Sequence, residues 1–461
     1  MALDAILAHK RAEVAARKAA TSFEALLARA APSGRSFASA LRSGGPGFIL
    51  EIKFASPSAG VIRPGDDLEP VLRSYGRHAD AISVLTDGRF FGGSLQRLRE
   101  VRERVSQPLL CKDFILEPYQ VLEARVHGAD AVLLILAATD DATWRACAAE
   151  AARFGMDVLT EVHDEAEAAR AVALGAAIIG INNRNLRTLE VDVGTTARVA
   201  PGLPADRLVV AESGIASREI VGALRRHADA FLVGSALMRE ADLDRAVRRL
   251  VYGRTKICGL TTPGDAAAAL EAGATHGGVM FAASSGRRIS PDDARRVMDA
   301  AGLEWVGVFA DQPASDIAGL ATRLRLSAVQ LHGDEGPDQI AQVRAEVPAA
   351  TAIWKARRVR ERIPERGGAD RLLLDGWTAG RLGGTGQVFE WSLLDRYPGR
   401  GEVVLAGGLR ASNVAAAAAL GTWALDASSG VESAPGRKDP GLLREFFTQR
   451  RRLPGRGDDN A

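Results

Sequence analysis

Residues Val251–Leu260 read VYGRTKICGL and mark where one series of strands and helices ends and another begins. Before this stretch, short apolar runs alternate with amphipathic helical patterns through one complete series. After it, the strand-like segment Thr255–Cys258 opens a second series at once. The sequence therefore predicts two tandem domains, residues 1–253 and 254–448, and a polar tail at 449–461 that we expect to be disordered from Arg450 onward.

The composition is that of an ordinary globular protein. The chain has 461 residues, of which 47% are apolar and 25% charged, and its net charge is +2. This length suits two domains better than one compact core. The weak net charge gives no electrostatic reason to expect nucleic acid or an anionic membrane as a partner. No apolar run approaches the roughly 18–20 residues of a membrane span.

The N-terminal segment and the cysteines indicate the cellular compartment of the protein. Asp4 and Glu13 interrupt the first apolar stretch, which argues against a signal peptide. The three cysteines, Cys111, Cys147 and Cys258, are far apart and form no CxxC pair, as is typical of a reducing compartment. We therefore expect a cytoplasmic location. The histidines lack metal-ligand spacing, so we expect no metal.

The first half contains eight strand candidates separated by helical patterns. They are Phe48–Lys53, Ala81–Leu85, Leu109–Lys112, Ala131–Leu136, Val158–Glu161, Ala177–Ile181, Leu208–Glu212 and Ala230–Val233. Eight such units predict a parallel (β/α)8 barrel, preceded here by an additional helix over residues 1–31. The first strand is not followed by GxGxxG, and GxxxxGK[ST] is absent, which disfavours the Rossmann and P-loop alternatives.

The second half repeats this eight-fold pattern. Its strand candidates are Lys256–Cys258, Gly278–Phe281, Trp305–Phe309, Ala328–Leu331, Ala352–Lys355, Leu372–Asp375, Val403–Ala406 and Trp423–Asp426. The fold class predicted for the whole chain is therefore α/β, with two tandem (β/α)8 barrels.

Polar side chains collect at the carboxyl ends of the first series of strands, where such barrels hold their chemistry. These residues are Glu51, Lys53, Lys112, Glu161, Asn182 and Glu212. Any Lys–Glu pair among them could be structural, but convergence from several strand ends favours a site. Mixed charges in a confined site shift each other's pKa values, which suits acid–base catalysis. The turns Ser213–Gly214 and Gly234–Ser235 follow the last two strands, where barrels commonly bind phosphate.

These segments resemble the motifs of indole-3-glycerol-phosphate synthase. The matching motifs are EIKFASPS at 51–58, CKDF at 111–114, LTEV at 159–162, GINNRNL at 180–186, AESGI at 211–215 and LVGS at 232–235. The resemblance covers residues 1 to about 250, including the additional N-terminal helix. It implies closure of the indole ring of carboxyphenylaminodeoxyribulose phosphate with loss of CO2 and water.

The resemblance also implies residue roles. Lys112 would be the general acid of ring closure, Glu161 the acid–base group of dehydration, and Glu51 and Asn182 would orient the substrate. Lys53 would lie near the substrate carboxylate and phosphate, and Arg184 near the carboxylate; the other expected binding residues are Ser56, Phe114, Glu212, Ser213, Gly214, Gly234 and Ser235. Phe54, Phe90, Phe91 and Phe114 either wall the pocket or belong to the ordinary core.

The strand ends of the second half carry a different set. A lone cysteine on a strand is usually a small buried apolar residue. Cys258, however, ends the first strand, where a thiolate could act as a base if its pKa were depressed. Asp375, at the end of the sixth strand, could face it as an acid. Glycine-rich turns at 376–386, Gly407–Gly408 and Ser428–Gly430 could converge on one anion, although the first could also be only a flexible surface loop.

The second half resembles phosphoribosylanthranilate isomerase. The matching motifs are KICG at 256–259, QLHG at 330–333, LD at 374–375 with GGTG at 383–386, and DASSGVE at 426–432. The resemblance covers about residues 254–448 and implies an Amadori rearrangement. By it, Cys258 removes the C2′ proton and Asp375 protonates the ribose ring oxygen.

Further binding residues follow from the same resemblance. His332 and Asp426 would contact the substrate, and Gly384, Gly408, Ser429 and Gly430 would line the phosphate site. Arg287 would pair with the anthranilate carboxylate. The family usually shows Ser-Pro-Arg at this point, whereas this chain has Ser285-Gly286-Arg287-Arg288, so the choice between Arg287 and Arg288 stays open.

The two resemblances together imply a bifunctional enzyme of tryptophan biosynthesis that requires no cofactor and no metal. The second barrel makes the substrate of the first, and the expected ligands are phosphorylated small molecules. We expect a monomer. One alternative keeps only one barrel active, or broadens the isomerase to the analogous histidine-pathway sugar, which would need a carboxylate in place of Cys258. The other alternative is a non-catalytic phosphate-binding scaffold, which would predict loss of Lys112, Glu161, Cys258 or Asp375.

Overall fold

The computed structural model describes residues 2–42, 44–57, 60–65, 67–186, 188–376 and 389–456. These residues divide into two compact units, one reaching Val247 and including the residues from Leu453 onward, and one spanning Arg248–Arg452. Each unit contains a closed barrel of eight parallel strands, which confirms the predicted fold class.

The barrel of the first unit closes on itself. Its strands are β1 (Gly47–Ile52), β2 (Ala81–Leu85), β3 (Leu109–Lys112), β4 (Ala131–Ile135), β5 (Asp157–Val162), β6 (Ile178–Asn182), β7 (Leu208–Glu212) and β8 (Ala230–Val233). Neighbours in sequence pair in parallel, and β8 pairs with β1, so this sheet has no free edge. The strands are runs of Val, Ile and Leu because both faces of a barrel strand are buried.

Helices and short turns connect these strands. The α-helices are Ala2–Ala20, Phe23–Leu27, Phe37–Leu41, Glu69–His78, Gly88–Phe91, Leu95–Arg102, Pro118–Val126, Asp141–Arg153, Glu165–Ala173, Gly194–Val199, Arg218–Leu224, Ser235–Met238 and Leu243–Tyr252. The 3-10 helices are Leu136–Ala138 and Ala200–Gly202, and a short hairpin pairs Ala55–Ser56 with Gly60–Val61.

The N-terminal segment is not the single helix predicted over residues 1–31. The first helix ends at Ala20, and a separate helix spans Phe23–Leu27. Between them Ser22 adopts an extended conformation, and its side chain accepts a hydrogen bond from the Ala25 backbone N–H. A serine that caps a new helix cannot also continue the old one, which explains the break.

The second barrel closes in the same way. Its strands are β9 (Thr255–Cys258), β10 (His276–Met280), β11 (Glu304–Phe309), β12 (Ala328–Leu331), β13 (Ala352–Val359), β14 (Arg371–Gly376), β15 (Val403–Leu405) and β16 (Ala424–Ala427). Strand β16 pairs with β9 to complete the barrel. Strand β13 continues four residues beyond its predicted end at Lys355, because its outer part pairs with β14 as far as Gly376.

Helices, 3-10 helices and a hairpin accompany the strands of the second barrel. Its α-helices are Pro263–Ala272, Pro291–Asp299, Ala314–Leu324, Pro337–Glu346, Val414–Ala419 and Pro440–Arg451. The 3-10 helices are Trp391–Leu394, Arg400–Glu402 and Ser429–Val431, and a hairpin pairs Glu432–Ala434 with Arg437–Lys438.

The C-terminal helix extends into the predicted polar tail. Phe446 and Phe447 anchor this helix in the core, and Arg450 is buried as well. Further on, Arg456 pairs with Asp229 at 3.0 Å. The expectation of disorder from Arg450 onward is therefore wrong up to Arg456, since these long side chains find partners. The described helices include none long and apolar enough to cross a membrane.

Candidate active sites

A cavity of about 350 Å³ opens at the carboxyl ends of the first barrel's strands. Its lining includes the predicted residues Glu51, Lys53, Lys112, Phe114, Glu161, Asn182, Arg184, Glu212, Ser213, Gly214, Gly234 and Ser235. Ser56 does not line the cavity, since it is buried in the hairpin after β1. The barrel thus brings nearly all of the predicted residues of this half to one place, as parallel strand ends require.

Lys112 lies at the centre of the charges in this cavity. Its Nζ is 3.3 Å from Glu161 Oε2 and 3.4 Å from Glu212 Oε2. Burial alone would lower the pKa of Lys112, but the carboxylates of Glu161, Glu212 and Glu51 raise it above its usual range. The ammonium is therefore protonated throughout the physiological range. Beside it, Lys53 donates to Glu51 Oε1 at 3.1 Å.

The two carboxylates next to Lys112 have opposite pKa shifts. Burial would raise the pKa of Glu161, but Lys112 and His163 lower it, so Glu161 is ionised. Burial raises the pKa of Glu212 to about 7, only partly opposed by Lys112. Glu212 Oε1 is buried and has no hydrogen-bond partner among the described residues. One carboxylate is therefore fixed in its charged form, while the other titrates near neutrality.

A glycine makes room for this pair of carboxylates. Gly180 on β6 is the register partner of Glu161 on β5. A Cβ atom at Gly180 would lie 2.1 Å from Glu212 Oε1. Any larger residue would therefore displace Glu212 from its position beside Lys112.

His163 contacts Glu161 but was not singled out from the sequence. Its Nε2 lies 3.2 Å from Glu161 Oε1, and its Nδ1 lies 3.0 Å from Glu167 Oε2. The sequence could have indicated His163, because residues two positions apart in an extended segment lie on the same face, as Glu161 and His163 do. Asn182 contacts the same carboxylate, donating from Nδ2 to Glu161 Oε1 at 3.1 Å.

The turn after β7 has an unusual backbone. Ser213 and Gly214 both have positive φ angles, 63° and 77°. Successive residues of this kind direct backbone N–H groups into a concave surface that suits an anion. The Asn183 side chain donates to the Ser213 carbonyl at 3.0 Å and fixes the turn.

Two of the four phenylalanines considered for an apolar wall line the cavity. Phe91 and Phe114 do so, with ring centroids 6.1 Å apart. Phe54 instead packs beneath the guanidinium of Arg97, and Phe90 packs against His9. The cavity therefore combines an apolar wall with a charged floor.

A second cavity, of about 100 Å³, opens at the carboxyl ends of the second barrel's strands. The predicted residues that line it are Cys258, Arg287, His332, Asp375, Gly408, Asp426 and Ser429. Gly430 lies beside them in the 3-10 helix Ser429–Val431. Gly384, with the other glycines predicted in the 377–388 loop, lies outside the described residues.

Cys258 is buried beside an ion pair. Lys256 Nζ contacts both carboxylate oxygens of Asp426, at 3.1 and 3.0 Å. Burial raises the pKa of Cys258, and Lys256 opposes that effect only in part. The depressed pKa that the sequence argument required is therefore not found, and the thiol is neutral in the free protein.

The pKa of Asp375 is also shifted in the direction of the neutral form. Burial and the charge of Asp426 raise the pKa of Asp375 to about 6. His332 Nε2 lies 3.9 Å from Asp375 Oδ2, but burial and nearby cations, Lys256 first, lower the pKa of His332 to about 4. Uncharged His332 leaves Asp375 without a cationic partner at this contact.

Glu432 and Lys438 connect Arg287 to Cys258, and neither was predicted as a site residue. Arg287 donates to Glu432 from Nε at 2.9 Å and from Nη2 at 2.7 Å. Lys438 Nζ donates to the same carboxylate at 2.7 Å and to the Cys258 carbonyl at 2.6 Å. Glu432 belongs to the motif DASSGVE at 426–432, but the sequence alone does not show that Arg287 is its partner. Arg288 does not line the cavity.

Within the ranges that the structure describes, no group of three or more His, Cys, Asp and Glu side chains is arranged to hold a metal ion. The cysteines are all free and buried.

Comparison with known proteins gives two family matches that divide the chain as the barrels do. The family model for indole-3-glycerol phosphate synthase matches residues 3–250, and that for N-(5'-phosphoribosyl)anthranilate (PRA) isomerase matches residues 255–449. The chain is 47% identical to the tryptophan biosynthesis protein TrpCF of Vibrio cholerae, over 95% of this chain and 92% of that protein. The chain belongs to the family of bifunctional indole-3-glycerol-phosphate synthase/phosphoribosylanthranilate isomerases.

A second bifunctional relative agrees with this assignment. The TrpCF protein of Salmonella typhi is 45% identical, over 96% of this chain and 97% of its own length. A crystal structure of phosphoribosyl anthranilate isomerase from Thermus thermophilus is 36% identical and covers 42% of this chain and 97% of its own, with a TM-score of 0.39.

The bifunctional enzyme catalyses two consecutive steps of tryptophan biosynthesis. The second barrel is the isomerase, which converts N-(5-phosphoribosyl)anthranilate into 1-(2-carboxyphenylamino)-1-deoxyribulose 5-phosphate. The first barrel is the synthase, which closes that product to indole-3-glycerol phosphate. The alternatives of a scaffold or a single active barrel find no support in these matches.

Proposed function

We propose that Lys112 is the general acid of ring closure in the first barrel. The observation that carries this proposal is its ammonium group, held between Glu161 and Glu212 and protonated across the physiological range. Such a group can donate a proton to the substrate carbonyl oxygen as the new ring bond forms. Loss of CO2 then restores the aromatic ring.

Glu161 serves the later loss of water in this proposal. Its carboxylate is ionised, so it must accept a proton before it can return one. Glu51 and Asn182 orient the substrate, with Lys53 and Arg184 near its anionic groups. Glu212, whose pKa is about 7, is suited to exchange protons with Lys112 in addition to its expected binding role.

The phosphate of this substrate is assigned to the turns after β7 and β8. The positive φ angles of Ser213 and Gly214 support an anion site there. Gly234 and Ser235 complete it at the start of the helix Ser235–Met238. The apolar wall of Phe91 and Phe114 suits the aromatic ring of the same substrate.

In the second barrel, Asp375 is the proposed general acid and Cys258 the general base. Asp375 has a pKa of about 6, so a useful fraction is protonated near neutral pH. It can protonate the ribose ring oxygen and open the ring. Cys258 must first become a thiolate to remove the C2′ proton, and Lys256 is the cation placed to favour it.

Arg287, and not Arg288, is the proposed partner of the anthranilate carboxylate. Arg287 lines the cavity and is oriented by Glu432 through two of its nitrogens. The remaining nitrogen, Nη1, can face the substrate. Phosphate binding is assigned to Gly384, Gly408, Ser429 and Gly430, with His332 and Asp426 as further contacts. The monomeric state and the cytoplasmic location stay predictions.

The test is a coupled assay on purified protein without added metal or nucleotide. Phosphoribosylanthranilate is supplied, the loss of its fluorescence is followed, and indole-3-glycerol phosphate is then quantified. We expect both signals in the parent protein. Asp375→Asn should abolish the first signal but leave ring closure intact when the ribulose phosphate is supplied directly. Unchanged isomerase turnover in Asp375→Asn would refute its role as the acid.

A further inference from the structure

His163 lies between two carboxylates behind the first cavity. The cavity lining includes Glu161, whereas His163 and Glu167 lie outside it. The imidazole meets Glu161 through Nε2 at 3.2 Å and Glu167 through Nδ1 at 3.0 Å. Both ring nitrogens therefore lie within ion-pair distance of a carboxylate oxygen, and of the two only Nδ1 makes a hydrogen bond among the described residues.

Local structure fixes the ring in this position. His163 directly follows β5, which carries Glu161, and Glu167 lies in the first turn of the helix Glu165–Ala173. The His163 backbone N–H donates to Glu167 Oε2 at 2.9 Å, and the Glu167 backbone N–H donates to Asp164 Oδ1 at 2.8 Å. Glu167 therefore links the residue after β5 to the start of the helix Glu165–Ala173.

The closeness of two carboxylates favours a protonated imidazole. A neutral ring has one nitrogen that can only accept, and that lone pair would face a carboxylate oxygen at close range. Burial would lower the pKa of His163, but Glu161 and Glu167 raise it to about 10. These two are the charged groups facing the ring, whereas Glu161 itself also faces Lys112 on β3 and Glu212 on β7 nearby.

We propose that His163 is a positioning residue for ring closure: as an imidazolium held by Glu167, it keeps Glu161 ionised and directed into the cavity. The proposal rests on the acid–base role proposed for Glu161. His163 does not touch the substrate in this scheme. Glu161 has cations on two sides, Lys112 in the cavity and His163 behind it, so it begins its step as a proton acceptor.

The first test measures synthase kinetics of His163→Ala with the ribulose phosphate as substrate. We expect kcat to fall by about 10–100-fold, less than the roughly 10²–10⁴-fold typical of a direct acid–base group, while KM changes by less than about 2-fold. Loss of the imidazolium raises the pKa of Glu161, so the acidic limb of the kcat profile should move to higher pH. Isomerase turnover of the same chain serves as the folding control and should not change.

Glu167→Gln gives an independent variant outside the cavity. It removes the outer carboxylate but keeps His163, so kcat and the acidic limb should move in the same directions by smaller amounts. Glu165→Gln, an exposed position in the same helical turn, is the matched control and should behave as the parent. A change in KM alone, or an unmoved pH profile in both His163→Ala and Glu167→Gln, overturns the proposal.

A double-mutant cycle separates this proposal from the one on which it rests. If His163 acts through Glu161, then His163→Ala should cost less than about 2-fold in a Glu161→Gln background. An equal cost in both backgrounds overturns the positioning role while leaving Glu161 in place. Full synthase activity in Glu161→Gln itself would instead overturn the proposed role of Glu161.

Discussion

The two barrels place their sites at equivalent strand ends, but they hold charge there in opposite ways. The first cavity is built on ions. Lys112 contacts Glu161 and Glu212 within 3.4 Å, its pKa is raised and that of Glu161 is lowered. In the second cavity, burial raises the pKa values of both Cys258 and Asp375 and so shifts each group toward its neutral form, beside the Lys256–Asp426 ion pair.

This difference shows that one fold can prepare acids and bases by two separate physical routes. In the first barrel, opposite charges from different strands outweigh the cost of burial. In the second, burial dominates at Asp375 and raises its pKa to about 6, so that a fraction of the protonated acid, the form that can donate a proton, is present near neutral pH. Each route fits the role proposed for it, a cationic donor for ring closure and a carboxylic acid of raised pKa for ring opening.

The largest expected effect is the loss of synthase activity when the first cavity alone is altered. Lys112→Ala removes both the proposed proton donor and the cation that keeps Glu161 ionised. Synthase kcat should fall by at least about 10²–10⁴-fold. Isomerase turnover should stay at the parent value, and steady-state assays with each substrate supplied separately check both. Equal loss of the two activities would contradict two independent sites.

Cys258→Ala is the converse experiment in the second cavity. Without the thiol, isomerase kcat should fall by about 10²–10⁴-fold while ring closure continues. Cys147→Ala is the matched control, because Cys147 is also buried and free but lies in a helix of the first barrel. Isomerase activity of Cys258→Ala within a few-fold of the parent would show that another group is the base.

Gly278→Ala should have an intermediate effect on the isomerase. Gly278 on β10 is the register partner of Cys258, and a Cβ there would lie 2.9 Å from both the Cys258 sulfur and the Lys256 Cε. We expect isomerase kcat to fall by about 10-fold as the thiol and its neighbouring cation are displaced. Gly264→Ala, at the start of the helix Pro263–Ala272, is the control, because a Cβ there would make only an ordinary contact with Thr262 Oγ1 at 3.9 Å. An unaffected kcat in Gly278→Ala would mean that the exact position of the thiol matters little.

The smallest expected change is in thermal stability, and it tests the raised pKa of Glu212. The pKa of Glu212 is about 7 in the folded protein, above its usual 4.5, so the folded state binds the extra proton between these values. Stability contributed by this group is present below pH 4.5 and is lost as pH rises toward 7. Glu212→Gln should therefore raise the Tm of the first barrel by about 2–4 °C at pH 8 and by less at pH 5. Calorimetry at both pH values checks this, and an equal Tm difference at both would contradict the raised pKa.

The sequence pattern alone specified the architecture and placed most of the proposed site residues at strand ends. The alternation of apolar strands with amphipathic helices gave the strands of the first barrel to within one residue, because burial on both faces imposes the pattern locally. The same pattern placed Lys112, Glu161, Cys258 and Asp375 at strand ends. Closing a parallel sheet then brings those ends together whatever the loops contain.

The ionisation states of the site residues and their hydrogen-bond partners depend on the tertiary structure. Nothing in the chain near Cys258 shows that burial outweighs Lys256, or that Glu432, 145 residues from Arg287, orients its guanidinium. His163 was visible as a neighbour of Glu161, but its second carboxylate depended on how a helix begins. A pKa and a hydrogen-bond partner are set by burial and by groups distant in sequence, whereas a strand is set by its own residues.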